Sequence, residues 1–192
     1  MGALQKPMDV EAFLAWEERQ ELRHEFDGVV PHAMTGGTGA HTAIERNLNY
    51  SLTGRLRGKS CQPYGSNLQL KLEHSIRYAD LSVVCTPVGA EDTFTSKPVV
   101  IFEIVSKSTA NKDLGVKKAE YQATPSVLRY VVLQQTHRAA EVFYRTADED
   151  DGWAYLLLSG DDALDMPEIG ISIPLAEIYE DITLAGRALK SL

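Results

Sequence analysis

Two apolar runs that each carry one acid limit what this chain can fold into. Ala79-Asp80-Leu81-Ser82-Val83-Val84-Cys85 places Asp80 at the mouth of a β-branched run, and Val99-Val100-Ile101-Phe102-Glu103-Ile104-Val105 places Glu103 inside a second. Runs of this kind read as buried strands. An ionised carboxylate among such neighbours is costly to desolvate unless it is paired, hydrogen-bonded or bound to a metal. Two carboxylates on adjacent strands repel each other unless a cation lies between them. The ordinary reading of either acid alone is a salt-bridge partner or a strand-end residue.

A helical spacing follows at Asp113, Lys117 and Tyr121, each four residues from the next and therefore on one helix face. That pattern alone reads equally well as an i,i+4 ion pair. Asp80, Glu103 and a lysine on the next element together supply a divalent-metal site and a cation for a nucleophilic water or a developing phosphorane.

The rest of the chain supplies the frame. Asp9 is a plausible N-cap for an amphipathic helix with Val10, Phe13, Leu14 and Trp16 on its apolar side. A second short helical stretch is expected from Glu18 to His24, then Glu25, then an Asp27-Gly28 turn into a strand. The glycine-rich piece 35–40 lacks the Gly-Lys-Ser/Thr ending of a phosphate loop and follows no Rossmann pattern. It frees the chain to enter a helix from about His41 to Arg57, with Ile44, Leu48, Leu52 and Leu56 along one stripe. Arg46, Arg55, Arg57 and Lys59 make this helix a candidate for backbone contacts to a nucleic acid, against the plainer reading of solvated charges. His41 lies at its N-terminal end, near the expected site.

Strands are expected at 67–72 and 76–84, with a turn near 73–75 and a polar loop over 87–97. The Glu103 strand follows, then a turn over 106–111, the Lys117 helix ended by Pro125, and a buried strand over 128–133. Strands at 140–144 and 153–158 pair across a turn at 148–152, and 174–179 closes with a short helix. Residues 185–192 are expected to be poorly ordered or helical. No internal repeat or linker interrupts 192 residues, enough for one well-cored domain.

A net charge of −8 sits badly with a nucleic-acid enzyme, since phosphate contacts need lysine and arginine. The distribution answers this. Residues 141–192 hold 12 acids against 3 bases, whereas residues 1–140 hold 15 acids against 16 bases. The acidity is therefore a property of the C-terminal quarter, read as a solvated surface. Cys61 and Cys85 lie in different apolar segments without zinc-site spacing, so they read as buried free thiols in a reducing cytoplasm. No run approaches the ~20 apolar residues of a membrane span, and the first residues lack a signal-peptide core, so a soluble cytoplasmic protein is expected.

The order of Glu25-Phe26-Asp27-Gly28, Tyr78-Ala79-Asp80, Phe102-Glu103-Ile104-Val105-Ser106-Lys107-Ser108-Thr109, then Asp113, Lys117 and Tyr121, resembles the bacterial putative restriction endonuclease family of the PD-(D/E)XK phosphodiesterase superfamily. The resemblance runs from about Met8 to Tyr179. It implies an α/β fold, a restriction-endonuclease-like three-layer core with a central mixed β-sheet flanked by helices, in a single domain over 1–192 with its core at about 8–180. It also implies a metal-dependent endonuclease acting on DNA, with Mg²⁺ or Mn²⁺ held by Asp80, Glu103 and the Ile104 carbonyl, and a homodimer to cut both strands. Glu25, placed on the first helix, would assist. Lys117 would replace the lysine that usually lies two residues after the glutamate, where this chain has Val105; Lys107 and Lys118 are its rivals. Tyr-Pro-Asp, Ser-Pro-Ser-Thr and Asp-Arg are commoner in the family where this chain has Tyr78-Ala79-Asp80, 106–109 and Asp113-Leu114.

Two other readings compete. A nuclease-fold module that binds nucleic acid or a protein partner without catalysis fits the low overall basicity and the unsettled lysine. A serine hydrolase would need a Gly-x-Ser-x-Gly elbow, which the chain lacks.

Overall fold

Asp9 opens the first helix, α1 (Val10–Glu17), by accepting the Ala12 N–H at 2.8 Å, and Phe13 goes fully into the core. The expected second helical stretch does not form. After Glu17 the chain turns back and enters β1 (His24–Phe26), whose His24 N–H donates to the Glu17 carboxylate at 3.0 Å. Phe26 then stacks on Phe13 with ring centroids 5.0 Å apart. Burial of this pair overrides the local helical preference of Glu18–Arg23. β2 (Pro31–Ala33) pairs back across the Asp27-Gly28 turn. Gly28 sits at φ +87°, and a Cβ there would lie 2.9 Å from the His74 carbonyl oxygen, so glycine is required.

In this computed structural model the described residues are 8–34, 36–105, 110–146 and 152–184. The expected turns over 106–109 and 148–151, Lys107, and the tail from 185 lie outside them. Thr38 caps α2 (Gly39–Leu56), followed by β3 (Gln62–Gly65), β4 (Gln69–Lys71), β5 (Ile76–Arg77), β6 (Leu81–Val84), β7 (Phe94–Thr95) and β8 (Pro98–Val105). α3 (Ala110–Ala123) leads to β9 (Arg129–Gln134), β10 (Ala139–Arg145) and β11 (Trp153–Ser159). β12 (Ala163–Met166), a 3₁₀ turn at Pro167–Ile169, β13 (Ile171–Pro174) and α4 (Leu175–Ile178) complete the chain.

Six strands form the main sheet in the order β11-β10-β9-β8-β6-β3. β8 and β9 are parallel, joined by the α3 crossover, and the other pairs are antiparallel. Side-chain alternation along β8 sends Val100, Phe102 and Ile104 to one face, where they pack with Ile44, Leu48, Leu52 and Leu56 of α2. Ile101 and Val105 pack on the other face with Tyr121 of α3. A mixed sheet between helices is the expected three-layer α/β arrangement. A second, five-stranded sheet, β2-β1-β5-β4-β7, carries the N-terminal strands, and β12 and β13 form a separate hairpin.

Two expectations are corrected here. Residues 76–84 are not one strand: β5 belongs to the second sheet and β6 to the main one, and Tyr78-Ala79-Asp80 crosses between them. Cys61 and Cys85 are not free thiols but a disulfide, with Cα atoms 3.8 Å apart. The antiparallel register of β3 and β6 sets Gln62 opposite Val84, which brings the flanking Cys61 and Cys85 together. That neighbourhood depends on a register across 24 residues, so the separate segments do not reveal it. Among the described residues no helix is long and apolar enough to cross a membrane.

Candidate active site

Glu103 projects from the centre of β8 toward α3, because it shares the face of Ile101 and Val105. It is 8% exposed. Lys117 and Tyr121, one helical turn apart on α3, both reach its Oε1: Lys117 Nζ at 3.2 Å and Tyr121 Oη at 2.9 Å. Lys117 Nζ also lies 3.0 Å from Glu25 Oε1, so one ammonium joins the two carboxylates. The face predicted to carry Lys117 and Tyr121 therefore looks at the acid; the Asp113 side chain lies outside the described residues. Lys118 points elsewhere, its Nζ 4.3 Å from the centre of the Phe143 ring.

Glu25 is on β1 and not on a helix, which corrects the expected placement. The pairing of Phe26 with Ile76 sets β1 beside β5, and Glu25 Oε1 accepts the Tyr78 N–H at 3.1 Å. Its other oxygen lies 3.5 Å from Arg77 Nη1, while Arg77 forks onto Glu120 at 2.7 and 2.8 Å. Burial works against the Arg77 charge, but the paired Glu120 reverses this and leaves its pKa above the ordinary value. Arg77 was missed from the sequence, although an arginine between Ile76 and Tyr78 in an apolar run demands a buried partner. Replacing it with Met strands Glu120 and weakens the hold on Glu25, so Arg77→Met is expected to lose about 3–5 kcal/mol in urea unfolding. A loss below about 1 kcal/mol would show the pair to be dispensable.

Asp80 stands at the crossing between the sheets. Its Oδ2 accepts the Ile104 N–H at 2.6 Å, and its Oδ1 lies 3.0 Å from His41 Nε2. The hydrogen bond that Asp80 accepts from His41, though opposed by burial, raises the His41 pKa. Glu45, one turn along α2 and 4.0 Å from His41 Nδ1, is raised by burial and by the nearby Asp80 charge. His41 and Glu45 form an i,i+4 pair at the start of the helix, a signal open to reading in the sequence for Glu45 as well. Burial pushes the Glu103 carboxyl up to about 7; Lys117 opposes the shift, and Asp80 and Glu25 add to it. Tyr121 is held well above its usual value by burial and by Glu103.

These groups line two clefts that share Asp80 and Glu103. One, of about 370 Å³, is bounded by Glu25, His32, Arg77 and Lys117. The other, of about 560 Å³, is bounded by Thr38, His41, Glu45 and Gln135. The basic residues proposed for backbone contacts lie away from both. Arg55 pairs with Glu177 at 2.8 Å, Lys59 reaches the Gly170 carbonyl, and Arg46 folds onto Asn47. Along α2, His41 and Arg55 are roughly 21 Å apart.

The model of the Uma2 family, described as "Putative restriction endonuclease", matches residues 10–176. The chain belongs to the Uma2 family. An uncharacterised protein of Synechocystis sp. is 31% identical to it over 176 residues, covering 90% of this chain and 91% of that one. The fold matches a crystal structure from Anabaena variabilis titled a "putative nuclease", with a TM-score of 0.73 and 14% identity over 90% of this chain and 98% of that one.

For this Uma2 chain, the donor set can be tested against a divalent metal. Among the described residues no three His, Cys, Asp or Glu side chains gather as a coordination shell. Two carboxylates, Asp80 and Glu103, and the Ile104 carbonyl offer hard oxygen donors of the kind Mg²⁺ and Mn²⁺ take, with remaining positions open to water and phosphate. Burial is the main cause of the upward shift of Glu103, and the nearby Asp80 and Glu25 carboxylates add to it. The residues fit a divalent cation.

Proposed function

We propose that residues 1–192 act as one nuclease domain, a metal-dependent endonuclease that hydrolyses DNA phosphodiester bonds. The observation that supports this reading most is the convergence of Glu25, Asp80, Glu103 and Lys117, from three elements and the crossing between the sheets, on one cleft. Asp80, Glu103 and the Ile104 carbonyl would hold Mg²⁺ or Mn²⁺. When bound, the metal neutralises phosphate oxygens and makes water a better nucleophile at neutral pH.

The protein's own groups do the rest. Glu25 and Glu103 hold the Lys117 ammonium at 3.0 and 3.2 Å, where it can orient the attacking water and offset charge on the phosphate. Tyr121 fixes Glu103 by its hydroxyl, so the carboxylate does not swing. The backbone N–H of Ile104 does the same for Asp80. Attack on phosphorus with departure of the 3′ oxygen leaves a 5′-phosphate and a 3′-hydroxyl. A cytoplasmic location remains part of the proposal, and the Cys61–Cys85 disulfide removes free thiols as its support.

Plasmid DNA incubated with the protein and Mg²⁺ should be nicked and linearised, and neither EDTA-treated protein nor Asp80→Asn should cut. The second reading, a module that binds without cutting, is favoured by Lys117 already engaged by two carboxylates and by Val105 in the usual lysine position. Plasmid bound but left intact by wild type with Mg²⁺ or Mn²⁺ would select it.

A single site cuts one strand, and a two-fold pair cuts both. Sedimentation at micromolar concentration is therefore expected to give a homodimer. A monomer that still linearises plasmid in one encounter would contradict this.

A further inference from the structure

The first turn of α2 closes a ring of hydrogen bonds around the crossing at Asp80. His41 Nε2 lies 3.0 Å from Asp80 Oδ1, and Asp80 Oδ2 accepts the Ile104 N–H at 2.6 Å. The Ile104 carbonyl accepts from Gln135 Nε2 at 3.4 Å, and Gln135 Oε1 accepts the Thr38 hydroxyl at 2.7 Å. Thr38 Oγ1 in turn accepts the His41 N–H at 3.2 Å, which returns the ring to its start. The Gln135 backbone is fixed independently, its N–H donating to the Val105 carbonyl at 3.1 Å.

Gly37 makes room for this ring. A Cβ at that position would stand 3.0 Å from His41 Cγ and Nδ1, a contact tight enough to make the imidazole give by a few tenths of an ångström. The glycine-rich piece that does not cradle a phosphate thus has another use. It lets the histidine lie back over its own helix start with Nε2 aimed at Asp80.

We propose that Gly37, Thr38, His41 and Gln135 are positioning residues that hold Asp80 and the Ile104 carbonyl in the arrangement that takes the divalent cation; this rests on the metal reading above. Partners that orient a ligating group commonly affect metal affinity by 10- to 100-fold. Helix capping alone explains Thr38, but it explains neither the reach of His41 to Asp80 nor that of Gln135 to Ile104.

The test is calorimetric titration of Mn²⁺ into the full chain, as wild type, His41→Ala, His41→Gln, Gln135→Leu, Gly37→Ala and the double variant His41→Ala/Gln135→Leu. Melting temperatures are recorded beside each titration, and Asp80→Asn serves as the reference for the metal reading itself. His41→Ala and Gln135→Leu should each weaken Mn²⁺ binding about 10- to 100-fold. Because they open one ring, the double variant should lose far less than the product of the two. His41→Gln, which keeps an N–H donor, should recover most of the affinity, and Gly37→Ala should weaken it in the same direction as His41→Ala but by less. If wild type binds and Asp80→Asn does not, while the His41 and Gln135 variants bind as wild type, the positioning role is wrong and the metal reading stands. The positioning role is equally wrong if these variants only melt earlier with unchanged affinity. If wild type takes up no Mn²⁺, both fall.

Discussion

Lys117→Met is expected to lower the kcat of the proposed DNA cleavage by about 10²- to 10³-fold while Mn²⁺ binding persists. Lys117 is 8% exposed and its ammonium is fixed between Glu25 and Glu103, so methionine fills its volume but supplies no charge beside the phosphate. Lys118→Met is expected to keep most of the activity, because its ammonium rests on the Phe143 ring. Gel-based single-turnover cleavage on one DNA substrate distinguishes the three proteins. A dead Lys107→Met with an active Lys117→Met would move the catalytic cation into the segment 106–109 and overturn the assignment to α3.

Glu103→Gln is expected to raise the melting temperature of the metal-free protein at pH 8 and to have little effect near pH 5. The sign follows from the raised pKa. An unfolded glutamate titrates near 4.5, whereas burial lifts Glu103 to about 7 in the fold. Between those values the folded state keeps a proton that the unfolded state has released, so stability falls as pH rises from about 4.5 to about 7 and is flat above. Glutamine resembles the protonated acid at every pH and escapes this loss. The expected gain at pH 8 is about 1–3 kcal/mol, reduced from the full linkage because Lys117 gives up one partner while keeping Glu25. A fall of the melting temperature at pH 8 would mean that Glu103 serves mainly as a structural ion pair.

The central strand of the fold was legible because Pro98–Val105 is long, β-branched and buried, and its one acid stands out. The face of α3 was legible for a similar reason, since a four-residue period places Lys117 and Tyr121 together whatever they face. What stayed hidden depends on pairings between distant segments. β1 and β5 meet at Phe26 and Ile76, fifty residues apart, and only that pairing shows Glu25 to be a strand residue beside Arg77. The disulfide needs the register of β3 on β6. β12 and β13 are four residues each, too short for a period to appear, and went unread. The break at Tyr78-Ala79-Asp80 hides inside a run that looks continuous, because both β5 and β6 are buried on either side of it.

The central claim is that Asp80 and Glu103 share a divalent cation that Lys117 does not replace. Titrating Mn²⁺ into wild type, Asp80→Asn, Glu103→Gln and Lys117→Met at pH 7.5 tests it most directly. A saturable site in wild type and in Lys117→Met, lost in both acid variants with their folds intact, is the predicted result. Equal Mn²⁺ binding by wild type and both acid variants, or none by wild type, would contradict the claim.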